Sequence, residues 1–429
     1  MKKSLPYIGG YLTKWLIVAV IAGIGGGLSS TALKKSINIV SGYSDGLPLF
    51  LAPLVGGIIV SALYLWDIKA AGFGTDRYIS EVNVESGHLK IKTFFSKLMA
   101  TATTLGFSGS GGVEGPMLVI GGSISHAISK VPILRNYFNE KDGRTLVICG
   151  AAGAIGAILH SPLGGGIFVV EILYNSSLHY DDLIPALLSS TMGFLVYSIV
   201  LNPNHSPTMF SLPEYDLSFH SMPFFIMSAI LAAFISLLFM SIFGFVQRAF
   251  LEIPRKKLHP IIGGGLTGII LLFIPKAGGV GSDIIQEMID SEFSIAILLI
   301  LLFGKMFATS FTIGSGGSGG LVIPALFVGA LSGNIIATAL SGTDPSLTSA
   351  LVVSGMAASL AGIANVPIAA SIMVVEMAGV SFGIPAVVGS VIGYAIGHSR
   401  VIYGVVHPDQ SQFKEIHEWK QYDVKKGSH

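Results

Sequence analysis

Charge is what this sequence has least of. Only 11% of its 429 residues are charged, against 51% hydrophobic, and the mean hydropathy is +0.73. Soluble domains carry about 25% charged residues. A soluble reading is thereby excluded, and an integral membrane protein with many spans is expected. The formal net charge of +1 offers no bulk attraction for nucleic acid. A single cysteine, Cys149, rules out an internal disulfide and any multi-cysteine metal site. It sits in an apolar run and reads as a small packing residue. Catalytic signatures are missing as well: there is no HExxH or Walker loop, and GSGG lacks the GK[ST] of a phosphate loop. No enzyme activity, cofactor or metal is expected.

Glycine, by contrast, is plentiful. The 54 glycines lie within apolar runs and point to close helix packing and interrupted helices. Residues 15–33, between Lys14 and Lys34, form a charge-free run of 19 residues, and residues 46–66 form another of 21. Each is long enough to cross a bilayer. The basic start, MKKSLPYIGGYLTKW, precedes a run long enough to span, so a first helix is expected rather than a cleaved signal. Residues 145–170 are apolar but broken by HSPLGGG (160–166), which predicts two shorter helices.

The chain repeats itself. Pro53-Leu-Val-Gly-Gly57 resembles Pro260-Ile-Ile-Gly-Gly264, and Gly72-Phe-Gly-Thr-Asp76 resembles Gly279-Val-Gly-Ser-Asp283. Lys97-x-x-Ala-Thr recurs at Lys305, Gly109-Ser-Gly-Gly112 at Gly314, and Gly150–Glu171 matches Gly355–Glu376. The five pieces keep their order at offsets of 205 to 208 residues. We therefore expect an all-α polytopic fold of two repeats with broken helices. The first repeat covers residues 1–201 and the second 221–404. A linker lies at 202–220, and a short cytoplasmic tail without a regulatory domain at 405–429. The N-terminal tail and the loop holding Arg248, Arg255, Lys256 and Lys257 are basic, whereas the linker has no Lys or Arg. By the positive-inside rule the first repeat starts inside and ends outside. The second is then inverted, with both termini cytoplasmic. Lys34 and Lys35 stand against this, near the expected outer end of the first helix.

Inverted repeats with broken helices place a substrate site where helix ends converge near the midplane. The segment GSGGVEGP (109–116) puts one carboxylate, Glu114, among glycines ahead of the charge-free run 117–129. An intramembrane acid is a functional hypothesis by default. A helix N-terminus attracts anions, so an anion and Glu114 would compete for one position. An interfacial or capping glutamate is the plainer alternative. Asp76 and Asp283 follow Thr75 and Ser282 and read as first-turn residues. Glu171 and Glu376 recur as a pair and read as structural acids near helix ends. His160, beside Pro162, reads as a packing or capping histidine, with titration near neutral pH as the alternative.

These motifs resemble the CLC family of chloride channels and proton-coupled anion exchangers, over about residues 15–403. GVEGP is similar to the family's GREGP element, with Val113 where arginine is usual. GGLVIP (319–324) is similar to GGxFxP, with Val322 where phenylalanine is usual, and GFGTD takes the place of GSGIP. HSPLGGGIFVVE and NVPIAASIMVVE resemble its paired proline-containing helices. The resemblance implies Glu114 as the gating carboxylate. It implies an anion site lined by Phe73, Gly74, Gly112, Val113, Gly115, Leu321 and Val322, with a hydroxyl from Tyr403. An interfacial anchor is the other reading of Tyr403. It also implies a homodimer in the cell membrane, moving a small inorganic anion, most simply chloride, with protons as a second partner.

Two departures bear on mechanism. Phe73 stands where the family's central serine would be, so coordination there falls to backbone amides, or the ring closes the path. The family's internal proton-transfer glutamate follows Glu171, and here that position is Ile172, which relays no proton. Glu171, His160 or water remain for that role. The balance favours anion/proton exchange over a passive channel. A cation-coupled organic-solute transporter is the reading from a different class.

Overall fold

Proline and glycine set where the helices begin. Proline occupies the first turn of six of them, where its missing N–H would have had no partner anyway. Left-handed glycines cap two more, Gly74 at φ 93° and Gly281 at φ 95°. The structure is a computed structural model and describes residues 5–84, 87, 89–131, 138, 142–174, 179–201, 208–216, 218–340 and 344–398. Tyr403 and the tail expected at 405–429 lie outside the described residues.

In the first half the helices are α1 (Leu5–Ser44), α2 (Ala52–Trp66), α3 (Thr75–Asn83), α4 (Ile91–Gly106), α5 (Glu114–Ser129), α6 (Asp142–Ile158), α7 (Pro162–Glu171) and α8 (Tyr180–Leu201). In the second they are α9 (Met222–Leu251), α10 (His259–Phe273), α11 (Ser282–Asp290), α12 (Ile295–Gly314), α13 (Val322–Ala339), α14 (Pro345–Ala364), α15 (Pro367–Ala378) and α16 (Gly383–Gly397). Seven of them, α1, α8, α9, α12, α13, α14 and α16, are long and apolar enough to cross a membrane. The chain is an all-α, multi-pass membrane protein. The break expected within 145–170 falls between α6 and α7, immediately before Pro162. Helix α1 departs from expectation. The span expected at 15–33 is part of one helix of 40 residues, about 60 Å long, which runs on through Lys34 and Lys35. Both lysines are exposed, so the helix carries them past the end of the apolar run without burying charge.

The two halves exchange equivalent contacts. Gly112 N–H donates to Gly320 O at 2.7 Å and Gly320 N–H returns the bond to Gly112 O at 2.6 Å, so the two segments run antiparallel. Ser318 N–H donates to Thr104 Oγ1, and Ser110 N–H to Thr312 Oγ1, both at 3.1 Å. A Cβ on Gly57 would collide with Pro260 O, and one on Gly264 with Pro53 O. Such reciprocity means a two-fold relation between halves. The matching segments run antiparallel at this contact, in keeping with repeats of inverted topology. Glycine also lets α5 meet α6 at Gly121 and Gly150, and α13 meet α14 at Gly329 and Gly355. Lipid tails are as apolar as the helices, so this close approach is what holds membrane helices together. One apolar core runs through both halves.

Candidate functional site

The antiparallel bridge at Gly112 and Gly320 brings two helix N-termini face to face. Helix α5 begins at Glu114 after Val113, and α13 begins at Val322 after Leu321. The first amides of an α-helix have no partner within the helix and carry partial positive charge. Glu114 is fully buried, and its Oε1 accepts a hydrogen bond from Ile323 N–H at 3.2 Å. Its carboxylate fills a niche between the two glycines: a Cβ on either Gly112 or Gly320 would collide with Oε2. The Glu114 carboxyl group thus rests on the N-terminal turn of a second helix, within a space that only glycine leaves open.

The loop at residues 72–74 closes against this point. Gly115 approaches the Phe73 carbonyl so closely that no side chain would fit, and Gly74 likewise approaches Gly115 O. The Phe73 ring is buried and meets Phe243 of α9 edge-on, with centroids 6.3 Å apart. Beneath the loop, Lys97 of α4 is buried and donates to Ala70 O at 3.0 Å and to Gly72 O. Its counterpart Lys305 of α12 is buried too, and donates to Gly279 O at 2.9 Å and Val280 O at 3.2 Å. Each ammonium ties down carbonyls that would otherwise be unsatisfied in an apolar setting.

Phe73, Gly74, Gly112, Val113, Glu114, Gly115, Leu321 and Val322 are therefore gathered at one place. Tyr403 lies outside the described residues. Glu171 and Ile172 belong to another region, the far end of α7. Glu171 accepts from Ile368 N–H at 3.1 Å and Ala369 N–H at 2.7 Å, capping α15. Glu376 mirrors it, accepting from Gly164 N–H at 2.8 Å and Ser161 Oγ at 2.5 Å and capping α7. Ile172 is a buried residue just past the end of α7. His160, at the opposite end of α7, has φ 54° and packs edge-on against Tyr197. It is thus separated from Ile172 by the length of α7, about 15 Å for ten residues.

Sequence reading missed three contributors. Lys97 and Lys305 were visible only as repeated K-x-x-A-T motifs, without their partners. Phe243 gave no signal within a uniformly apolar helix. Among the described residues, no cluster of three or more His, Cys, Asp or Glu is placed to hold a metal.

Residues 64–398 match the model of the voltage gated chloride channel family. The chain belongs to this family. It is 30% identical to an uncharacterized protein of Methanocaldococcus jannaschii, over 91% of this chain and 95% of that one. It is 26% identical to the H(+)/Cl(-) exchange transporter ClcA of Vibrio campbellii, over 84% of this chain and 81% of the relative. Among solved structures, a CLC-type fluoride/proton antiporter superposes with a TM-score of 0.80 at 20% identity, covering 92% of this chain and 97% of that chain. A slow cyanobacterial Cl-/H+ antiporter gives 0.76 at 20% identity, covering 92% and 96%. At that identity the two structures speak to the fold alone.

Proposed function

We propose that this protein moves a small inorganic anion across a membrane, most simply chloride, in exchange for protons. The observation that carries this reading is the Glu114 carboxylate resting on the Ile323 amide at the start of α13. The position suits any small anion, because it offers oriented N–H groups in a setting with little water. Glu114 occupies it as the protein's own anion. Protonation removes the negative charge that holds the carboxylate there, and a free anion can take its place. Proton uptake and anion occupancy are then coupled at one site. The backbone of Gly112, Val113, Gly115, Leu321 and Val322 lines it, Phe73 and Gly74 close one side, and Tyr403 would contribute a hydroxyl. The exchange activity named for the Vibrio relative supports this reading. Such a protein is a transporter rather than an enzyme.

A passive anion channel is the second reading, favoured by one observation. The position after Glu171 holds Ile172, and both Glu171 oxygens accept backbone amides of α15. Neither residue is placed as a free relay. We further propose a homodimer joined through α7, α8, α15 and α16. These helices leave Leu163, Ile184, Ile368 and Val387 exposed on the outside of the monomer. We place the protein in the cell membrane with both termini cytoplasmic. Its repeats are bounded at 1–201 and 221–404 around the linker at 202–220, with the tail at 405–429 after them.

The test is anion efflux from liposomes with simultaneous proton recording, for the native protein and Glu114→Gln. Exchange predicts that chloride efflux drives protons uphill in the native protein and that the coupling is lost in the variant. Chloride movement without protons in the native protein would establish the channel. Absence of any halide movement would overturn both.

A further inference from the structure

A cavity of about 480 Å³ opens beside the Glu114 niche. Val113 and Ile323, the residues on either side of the carboxylate's resting place, form part of its wall. Five other segments complete it, contributing Lys34 from α1, His160 before α7, Ser198 from α8, Met209 from the segment after α8 and Asp283 from α11. Val113 brings no charge to this mouth. Lys34 is exposed, lines the cavity and forms no ion pair with a described residue. Asp283 is the opposing charge. It lies in the first turn of α11, where the helix end stabilises an acid. Among the described residues that line the cavity, the lysine or arginine left to act on it is Lys34.

We propose that this cavity is the anion-admitting vestibule of the Glu114 site, and that Lys34 concentrates anions in it. This rests on the transport reading above and adds to it the residue that sets anion capture from one side. A cleft with low-dielectric walls focuses the field of a charge at its lip and raises the local concentration of the opposite ion. Lys34 is a positioning residue: it acts on the anion before the anion reaches the amides of α13. Its presence at the end of the first apolar run, opposed by the positive-inside rule, then has a functional reason.

Two measurements on the full chain test this. In the first, chloride flux is followed against chloride concentration on the cavity side, for native protein, Lys34→Gln and Lys34→Arg. At low ionic strength the glutamine variant should raise KM about three- to tenfold with kcat unchanged, and arginine should keep native values. At high ionic strength the difference should vanish, because salt screens an exposed charge beyond a few ångströms. The second readout is independent of transport. Ser198→Cys places a thiol on another wall of the cavity, while native Cys149 is buried. The ratio of its reaction rates with anionic and cationic methanethiosulfonate reagents should fall severalfold when Lys34→Gln is added. An unchanged KM in a variant with native kcat would overturn the proposal and leave anion transport standing. If the native chain moves no anion, the transport reading fails by itself. The thiol ratio then still decides whether Lys34 makes the cavity attract anions, and an unchanged ratio would end that idea.

Discussion

The two halves of this molecule are built from the same parts, and they differ at the one position that matters most. Helices α5 and α13 start at equivalent places, each after a glycine of the antiparallel bridge. The first residue of α5 is Glu114, and the first residue of α13 is Val322. One half supplies an acid, and the other supplies the amide that receives it. Charges present in both halves behave differently. Lys97 and Lys305 both hold loop carbonyls, and Glu171 and Glu376 both cap the partner half's helix. Duplicated charges hold the scaffold, whereas the single ones, Glu114 and Lys34, are those we propose to act on the anion.

The largest expected effect tests the single acid. Gly320→Ala places a methyl where the carboxylate lies, so it should displace Glu114 and reduce proton-coupled flux at least tenfold. Flux and proton movement recorded together in liposomes check this, and native coupling would show that the niche is not the working position. Next comes pH. Acid protonates Glu114 and weakens its hold on α13, so native anion flux should rise as pH falls. Glu114→Gln cannot be protonated in this way, and its flux should stay flat over the same range. Stopped-flow efflux at a series of pH values compares the two slopes.

The duplicated acids give the next effect. Glu171→Gln and Glu376→Gln each weaken charged hydrogen bonds to amides at a helix start, at a cost of about 1–3 kcal/mol. Thermal unfolding in detergent should show similar losses for the two, with ion selectivity unchanged. A loss of proton coupling confined to Glu171→Gln would make it a relay and break the symmetry. The smallest effect concerns Phe73, whose counterpart is Val280. Phe73→Ser should change the ratio of chloride to fluoride flux, whereas Val280→Ser should leave it near native. An unaltered ratio for Phe73→Ser would show that the ring, held against Phe243, does not shape the site.

Much of this fold was legible because its signals are local. Pro162 and Pro367 marked helix starts, and the repeated GSGG, K-x-x-A-T and VVE motifs carried the duplication. The niche at Glu114 could be anticipated from a glycine-flanked acid before an apolar run. What escaped reading depends on partners distant along the chain, 25 residues away for Lys97 and 198 for Glu171. Glu171 next to Ile172 gives no hint that its oxygens cap α15, and Lys97 gives no hint of the carbonyls it ties down. Lys34 looked like an objection to topology. Only the folded chain sets it beside Val113 and Ile323 in one cavity.

In the proposed mechanism Glu114 and a transported anion compete for the same amides. It is tested most directly by crystals of Glu114→Gln grown in bromide and measured at the bromine absorption edge. Competition predicts an anomalous peak between Gly112 and Gly320, within hydrogen-bonding distance of the Ile323 amide. Bromide bound elsewhere, with that niche vacant, would contradict it.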